Sequence, residues 1–409
     1  MRVLGWKGCG FSMALAATGV SAAETQQRPA PSSRPDPKAP VNVSRGHRSI
    51  SPDVNGAASA GPSGSPGSQA ARASREGNED DASSKQADAK RATKKKTDAC
   101  PGDMQLVEGD YCTKVEHKCL ESWYDKSNKK TVCEKFEAKS QCVGERKTKR
   151  YCIDRYEWPN RAGERPEVMN KFHQAEVKCA AIGKRLCTES EWTLACEGPK
   201  YKPFPYGYVR DTNICHGDVM WDSPDMKKVA ARDPAELARI WKGVRSGSQP
   251  ECVSDYGVYD MPGNADEVVS SETFSSDFRG KFDSVHTGGP WYKGVRNQCR
   301  PKIYTHDEGF YYYFLSFRCC AEPDQQATDP RTTKQRRDNW KFEKVEQIAG
   351  FSRAQVQKAL KAKAEKGNCS CTKGDIRCNT ICGTLLGPEA KDFPKGKKAN
   401  PSPHGATGE

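Results

Sequence analysis

Residues 256–267 read Tyr-Gly-Val-Tyr-Asp-Met-Pro-Gly-Asn-Ala-Asp-Glu, and this stretch decides how the middle of the chain is interpreted. Asp260 and Glu267 bracket a turn that contains a glycine, so two carboxylates and several backbone carbonyls can point to one place. Clusters of oxygen atoms suit Ca²⁺, which takes about six to eight oxygen ligands. The alternative is a pair of surface carboxylates that cap a turn.

Three further blocks lie on either side of this stretch. Residues 183–192 read Gly-Lys-Arg-Leu-Cys-Thr-Glu-Ser-Glu-Trp, residues 288–291 read Gly-Gly-Pro-Trp, and residues 316–319 read Ser-Phe-Arg-Cys. In this order, the four blocks resemble the signatures of the formylglycine-generating enzyme (sulfatase-modifying factor) family over residues 104–321. The resemblance implies an α+β, C-type-lectin-like fold that is rich in loops and binds structural calcium.

The resemblance also implies a set of calcium ligands. One site takes two side chains and two carbonyls, and a second site begins at an asparagine and has one of two aspartates as its acidic partner. The first set is Asp260, Glu267, Gly263 and Ala265, and the second is Asn213 and Ile214 with Asp222 or Asp225.

Members of the family that make formylglycine bind Cu(I) between two thiolates, which soft copper prefers. The corresponding positions are Lys293 and Gln298, and neither side chain is a thiolate. Cys299 lies one residue after the second of these positions and is a weak catalytic candidate. We expect it instead to form a disulfide with Cys319 or Cys320. The sequence therefore argues against copper and against standard formylglycine generation.

Two other departures from the family pattern occur close to these positions. Asp266 stands where the family has tryptophan, and Pro290 stands where it has serine. A non-haem iron centre is a weaker alternative, because His216-Gly-Asp218 has the spacing of two ligands and His286 or His306 offers a third. The simpler interpretation is a histidine that forms a hydrogen bond within a loop.

A ligand groove is a further hypothesis. Its candidate residues are Trp291, Lys293, Gln298 and Arg300, next to a dense run of aromatic residues at 310–314. Arg296 and Arg318 can hold carboxylate or sulfate groups, although the position of Arg318 in the family motif favours a buried structural role. Core packing is the default for the aromatic residues.

The composition divides the 409-residue chain into four parts. Residues 1–23 have the features of a signal peptide, and residues 24–99 form a Pro-, Ser-, Ala- and Lys-rich segment that we expect to be a disordered linker. Residues 100–325 form the family-like domain. Residues 326–409 form a basic tail with a short helix at 352–366 and a four-cysteine cluster, for which disulfides are favoured over zinc.

The 19 cysteines favour an oxidising compartment, so we expect a secreted or periplasmic protein. Six of them, from Cys100 to Cys152, should clamp the first lobe with disulfides. The net charge of +13 lies in the tails, since residues 100–325 contain 34 basic and 35 acidic residues. The tails can therefore contact anionic surfaces. We expect no specific nucleic-acid partner, no transmembrane span and a monomer.

Two helices have clear local signals. Apolar residues at helical spacing predict a helix over 170–182, which Gly183 can end. Thr188 and Glu191 form a capping box that opens a second helix, ending at Gly198.

Three functional hypotheses follow. We favour an exported, non-catalytic module that binds a peptide or a glycan in the family groove. The alternatives are an oxidoreductase with altered metal chemistry and formylglycine generation that depends on Cys299 and a neighbouring group.

Overall fold

The computed structural model describes residues 99–366, except for positions 127, 128, 276 and 293. The predicted signal peptide, the linker, the four-cysteine cluster and Lys293 therefore lie outside the described residues. Within the described part, helices and strands are mixed and loops are abundant, which confirms the predicted α+β class.

Twelve short strands form the sheets of the described part. They are β1 (Met104–Cys112), β2 (Val115–Glu116), β3 (Cys119–Asp125), β4 (Lys130–Phe136), β5 (Gln141–Cys142), β6 (Arg146–Asp154), β7 (Arg185–Leu186), β8 (Asp266–Ser270), β9 (Ser284–Thr287), β10 (Lys302–Ile303), β11 (Leu315–Phe317) and β12 (Cys319–Ala321).

Seven α-helices accompany the strands, together with a 3₁₀ helix at Gly294–Arg296. The α-helices are α1 (Phe172–Ala181), α2 (Glu189–Glu197), α3 (Met226–Ala230), α4 (Pro234–Ile240), α5 (Thr333–Arg337), α6 (Phe342–Ala349) and α7 (Arg353–Lys366).

The strands form two four-stranded sheets and two hairpin-like pairs. The first large sheet has the order β1-β6-β12-β7, and the second has the order β10-β9-β8-β11. Within the second sheet, β11 pairs with β8 in parallel, whereas β8–β9 and β9–β10 are antiparallel. A buried cluster that includes Ile153, Trp192, Val269 and Val285 packs helix α2 between the two sheets.

The two predicted helices are confirmed as α1 and α2. Thr188 accepts a hydrogen bond from the Glu191 N–H, and the Glu191 carboxylate accepts one from the Thr188 N–H, which completes the capping box. Gly183 follows α1 with φ +75°, a left-handed conformation that favours glycine. Both helices could be predicted because each has its start or stop signal within a few residues of its end.

Seven disulfides pair all fourteen cysteines of residues 99–366. Three of them clamp the first lobe, as predicted: Cys100–Cys152, Cys112–Cys142 and Cys119–Cys133. The predicted partner of Cys299 was wrong. Cys299 pairs with Cys196, which frees Cys319 and Cys320 to pair with Cys179 and Cys187.

The remaining disulfide, Cys215–Cys252, lies in the loop-rich part that follows α2. The described residues contain no helix that is long and apolar enough to cross a membrane.

Residues beyond 325, in the segment that the sequence assigns to a basic tail, contribute to a buried cluster. Helices α6 and α7 pack on α1 and bury Phe342, Val345 and Val356 against Val177 and Ala181. The predicted helix at 352–366 is α7. Its apolar residues are few, and their burial depends on the distant helix α1.

Candidate functional site at the loop of residues 288–299

A tightly closed loop follows strand β9. Gly288 and Gly289 adopt φ angles of +86° and +71°, which only glycine adopts readily. The Asn297 side-chain amide donates to the carbonyls of residues 288, 289 and 290 at 3.2, 3.1 and 3.2 Å. A β-carbon on Gly289 would lie 2.8 Å from the Arg296 β-carbon. The loop is therefore held closed by the Asn297 side chain, which binds the backbone carbonyls at its start.

The loop ends at a cysteine that is not free. The sulfur of Cys299 is bonded to Cys196, and the Cys299 side chain is fully buried. Its N–H donates to the carbonyl of Pro203 at 2.9 Å. Since every cysteine of residues 99–366 is in a disulfide and position 298 is glutamine, the described part of this loop presents no thiolate.

Asp266 anchors the loop to strand β8. Its carboxylate accepts two hydrogen bonds from Arg296, at 3.0 and 2.7 Å, and one from the Gly289 N–H at 3.2 Å. Burial raises the pKa of Asp266, and Arg296 opposes that rise. The departure from tryptophan at this position was visible in the sequence, but its partner Arg296 was not.

Two histidines stack beside this ion pair. The His286 ring lies 4.9 Å from the His306 ring, which lies 3.9 Å from the ring of Phe310. His286 Nδ1 is 3.7 Å from an Asp266 carboxylate oxygen, and the His286 Nε2 atom is buried without a hydrogen-bond partner. Burial lowers the pKa of both histidines, so they are neutral at neutral pH.

The proposed iron ligands do not converge. His216 Nε2 lies 2.7 Å from the Lys242 carbonyl oxygen, and Asp218 forms an ion pair with Arg210. Among the described residues, no three His, Cys, Asp or Glu side chains are placed to hold a metal ion together. The spacing of His216 and Asp218 therefore reflects two separate structural contacts.

The two carboxylates predicted for the first calcium site form hydrogen bonds within the protein. Both Glu267 oxygens accept from Arg318, each at 2.8 Å, and one also accepts from the Trp192 indole N–H at 3.0 Å. An Asp260 oxygen accepts from the Gly247 N–H at 2.7 Å. Both Glu267 oxygens are thus paired with the Arg318 guanidinium, and calcium at the first site stays a prediction.

A third carboxylate joins this buried centre. Glu157 accepts from Asn264 Nδ2 and from the Ser246 hydroxyl, both at 2.8 Å. Burial raises the pKa of Glu157, and burial followed by repulsion from Glu157 raises that of Asp260 well above its usual value. Three carboxylates therefore share one guanidinium, an excess of negative charge that favours bound protons.

The second set of calcium candidates is also dispersed. Asp222 forms an ion pair with Lys242 at 2.7 Å, and Asp225 caps helix α3 by accepting from the N–H groups of Lys227 and Lys228. Asn213 lies in an exposed turn, and its N–H donates to Asp211. The two acidic partners proposed for Asn213 and Ile214 therefore have other structural roles.

Two of the residues predicted to line a ligand groove, Trp291 and Arg300, are engaged in contacts within the protein. Trp291 is 1% exposed and packs in a core cluster with Tyr313 and Met169. Arg300 forms two hydrogen bonds to the buried Glu197, both at 2.6 Å, and so has no free face for a ligand carboxylate. Arg318, by contrast, is the buried structural partner that its position predicted.

An exposed apolar surface lies beside the loop instead. It consists of Met220, Trp221, Met226, Tyr292 and Tyr312, and we call it the Met–Trp face. Met220 is 66% exposed, Met226 is 54% exposed and Trp221 is 46% exposed. The rings of Trp221 and Tyr292 lie 6.4 Å apart, which joins the face to the loop. The two methionines carried no sequence signal, since they follow no periodic pattern.

Comparison with known proteins identifies the family of the chain. Residues 110–323, more than half of the chain, match the model of the sulfatase-modifying factor enzyme 1-like domain. The chain therefore belongs to the sulfatase-modifying factor enzyme family. It is similar to the "Inactive C-alpha-formylglycine-generating enzyme 2" of Bos taurus, with 31% identity over 115 residues. The match covers 28% of this chain and 35% of that protein, about a third of its length.

Three solved structures are similar at lower identity. CarF shares 13% identity with a TM-score of 0.34, over 54% of this chain and 98% of CarF. PvdO from Pseudomonas aeruginosa shares 14% with a TM-score of 0.31, over 53% and 94%. Treponema denticola variable protein 1 shares 13% with a TM-score of 0.32, over 54% and 95%.

Proposed function

We propose that this chain is an exported, non-catalytic member of its family that binds an extended peptide or glycan beside the loop of residues 288–299. The observation that carries the proposal is the Cys196–Cys299 disulfide. It removes the one cysteine near the family's copper position, where the two ligand positions are Lys293 and Gln298. The lectin-like fold that the family resemblance implies is the framework of this proposal.

The seven disulfides support export, because a reducing cytosol does not maintain so many disulfides. The bovine relative is described as inactive, which supports a non-catalytic role by analogy. The Met–Trp face supports binding, since exposed apolar patches mark interaction surfaces. Its methionines favour a peptide over a glycan, because flexible thioethers adapt to apolar side chains.

The test measures thiols, copper and ligands on the full-length protein. We expect no free thiol at Cys299, no stoichiometric Cu(I) binding in competition with a chelating dye, and no aldehyde formed on a cysteine-containing peptide. The double variant Lys293→Cys/Gln298→Cys is the matched control, since it restores two sulfur ligands and should gain Cu(I) binding. Stoichiometric copper or aldehyde formation by the unaltered protein would refute the proposal.

Binding is tested with peptide and glycan arrays, and with the variant Trp221→Ala. We expect ligands to be retained on one array and lost in the variant. Retention by glycans alone would assign the face to sugars. If neither array retains a ligand, the result would count against a binding module.

A further inference from the structure

The loop at 271–283 joins strands β8 and β9, which pair with each other up to its two ends. At its base, the Ser271 N–H donates to the Asp283 carbonyl at 2.8 Å. Further out, the backbone of Gly280 lies so close to the Ser275 carbonyl that a β-carbon on the glycine would collide with it. The described residues on the two arms of the loop therefore lie side by side.

Helix α5 packs against this loop. The Lys334 ammonium donates to the carbonyls of Gly280 and Phe282 at 2.9 and 2.7 Å. The guanidinium of Arg337 lies over the Phe274 ring, 4.6 Å from its centre. Since residues three apart share one face of a helix, a single face of α5 contacts both arms of the loop and holds them in place.

The loop nevertheless presents two phenylalanines to solvent. Phe274 is 48% exposed and Phe278 is 57% exposed. The Phe278 ring lies 5.9 Å from the Tyr304 ring, and the Arg279 guanidinium lies 5.7 and 6.0 Å from the centres of these two rings. We call the exposed surface the Phe–Arg face; it consists of Phe274, Phe278, Arg279, Lys281 and Arg337.

The surroundings of the two phenylalanines are basic. Among the described residues, Arg279 and Lys281 form no ion pair, and their charged groups lie over phenylalanine rings at 5.7 and 4.9 Å. Asp277 accepts a hydrogen bond from the backbone N–H of Arg279. Residues 271–283 and 331–338 together contain six Lys and Arg against four Asp and Glu, a net charge of +2.

Exposed phenylalanine rings with a basic rim suit the surface of an anionic bilayer. The apolar rings can enter the boundary between headgroups and acyl chains, while Arg and Lys are attracted to the anionic headgroups. A phenylalanine ring carries no hydrogen-bonding group, unlike the Tyr and Trp side chains that combine an apolar body with a polar tip. The chemistry of this face therefore favours lipid over a hydrated glycan.

We propose that the Phe–Arg face docks on the surface of an anionic phospholipid bilayer. This inference goes beyond the proposed function and does not depend on it. The loop at 271–283 precedes strand β9 and the loop of residues 288–299 follows it, so the two loops lie at opposite ends of β9. Docking through the first loop thus requires no contact with the second.

The experiment measures co-sedimentation of the full-length oxidised protein with vesicles of equal parts phosphatidylglycerol and phosphatidylcholine. Each of the two phenylalanines has about half of its surface exposed and should contribute about fivefold to the affinity, so Phe274→Ser/Phe278→Ser should bind about 25-fold more weakly. The matched control is Leu120→Ser/Tyr124→Ser, which removes side chains that are 51% and 57% exposed on strand β3. The basic tails are the same in every variant, so their contribution to binding is constant.

A second variant tests the charges separately. Each Lys or Arg near an anionic membrane surface contributes about fivefold, so Arg279→Gln/Lys281→Gln should bind about 25-fold more weakly. Vesicles of phosphatidylcholine alone should bind the unaltered protein far more weakly than the anionic vesicles. Because all four substituted side chains of the face are exposed, each variant should keep the near-ultraviolet circular dichroism of the unaltered protein.

Four outcomes would overturn the inference. Unchanged binding by the Phe274/Phe278 variant would assign any vesicle binding to the tails. An equal loss in the Leu120/Tyr124 control would show that any exposed apolar pair has the same effect. Equal binding to neutral vesicles would remove the role of charge. Loss of dextran sulfate binding in the Phe274/Phe278 variant, with vesicle binding unchanged, would identify an anionic glycan as the partner of this face.

Discussion

Replacement of Arg318 by leucine tests the buried charge centre most directly. Arg318 is fully buried and donates twice to Glu267, and it contacts the carbonyls of Asp154, Arg155 and Tyr259 at 3.1–3.3 Å. Leucine replaces only the apolar stem. Removing one partner of a buried ion pair costs about 3–5 kcal/mol, because the other charge is left without compensation.

The cost should depend on pH. Burial disfavours the charged form of Arg318, but Glu267 and the nearby carboxylates outweigh burial and raise its pKa. Arg318 lowers the pKa values of Glu157 and Asp260, so without the guanidinium the folded-state pKa values of these two carboxyl groups rise further. A carboxyl group whose pKa is raised by folding adds stability at low pH and loses it as pH rises through the folded-state pKa. The Arg318→Leu penalty should therefore be larger at about pH 7 than at about pH 5.

The assay is chemical denaturation of the oxidised protein at both pH values, supported by thermal melts. A loss of 3–5 kcal/mol corresponds to a fall in Tm on the order of 10 °C for a domain of this size. Arg337→Leu is the matched control, because Arg337 forms an ion pair with Asp338 but is exposed, so its loss should destabilise the protein far less than the loss of Arg318. Equal losses in the two variants, or a larger Arg318→Leu penalty in acid, would contradict the argument.

Three further predictions concern the same domain. A calcium chelator should leave the Tm of the unaltered protein unchanged, since Arg318 already neutralises Glu267; a clear fall would restore calcium as a ligand. The variant Cys196→Ala/Cys299→Ala opens a link across 103 residues and should lose about 4–5 kcal/mol in denaturant titrations, and a loss below about 1 kcal/mol would contradict the role of this disulfide. Asp266→Asn should lower the pKa of His306 in an NMR titration, because the Asp266 charge opposes the effect of burial; an unchanged or raised pKa would place the carboxylate too far away to act.

Parts of the fold and of the candidate site could be predicted because their signals are local or compositional. The Thr188–Glu191 capping box acts across three residues, so its helix was correct before any tertiary contact was known. The disulfides of the first lobe follow from six cysteines within one short segment. The absence of sulfur at positions 293 and 298 is a property of the sequence itself.

The features that the sequence did not predict share a dependence on long-range contacts. The partner of Cys299 lies 103 residues away, and the three cysteines Cys196, Cys319 and Cys320 could not be ranked by spacing. The packing of α6 and α7 on α1 could not be predicted, because the apolar residues that meet there lie far apart in the sequence. The pairing of Glu267 with Arg318, which lies between β11 and β12, joins residues that are 51 positions apart.

The sequence alone determined the family, the α+β class, the oxidised cysteines of the first lobe and the loss of the thiolate pair at the family's copper position. Only the tertiary structure decided that Asp266 holds the loop through Arg296, that Arg318 pairs with Glu267, and that the Met–Trp face is exposed. The reason is physical. Residue identity and local spacing specify which chemistry is available, but the charge, burial and partners of a side chain depend on segments that folding brings together from distant parts of the chain.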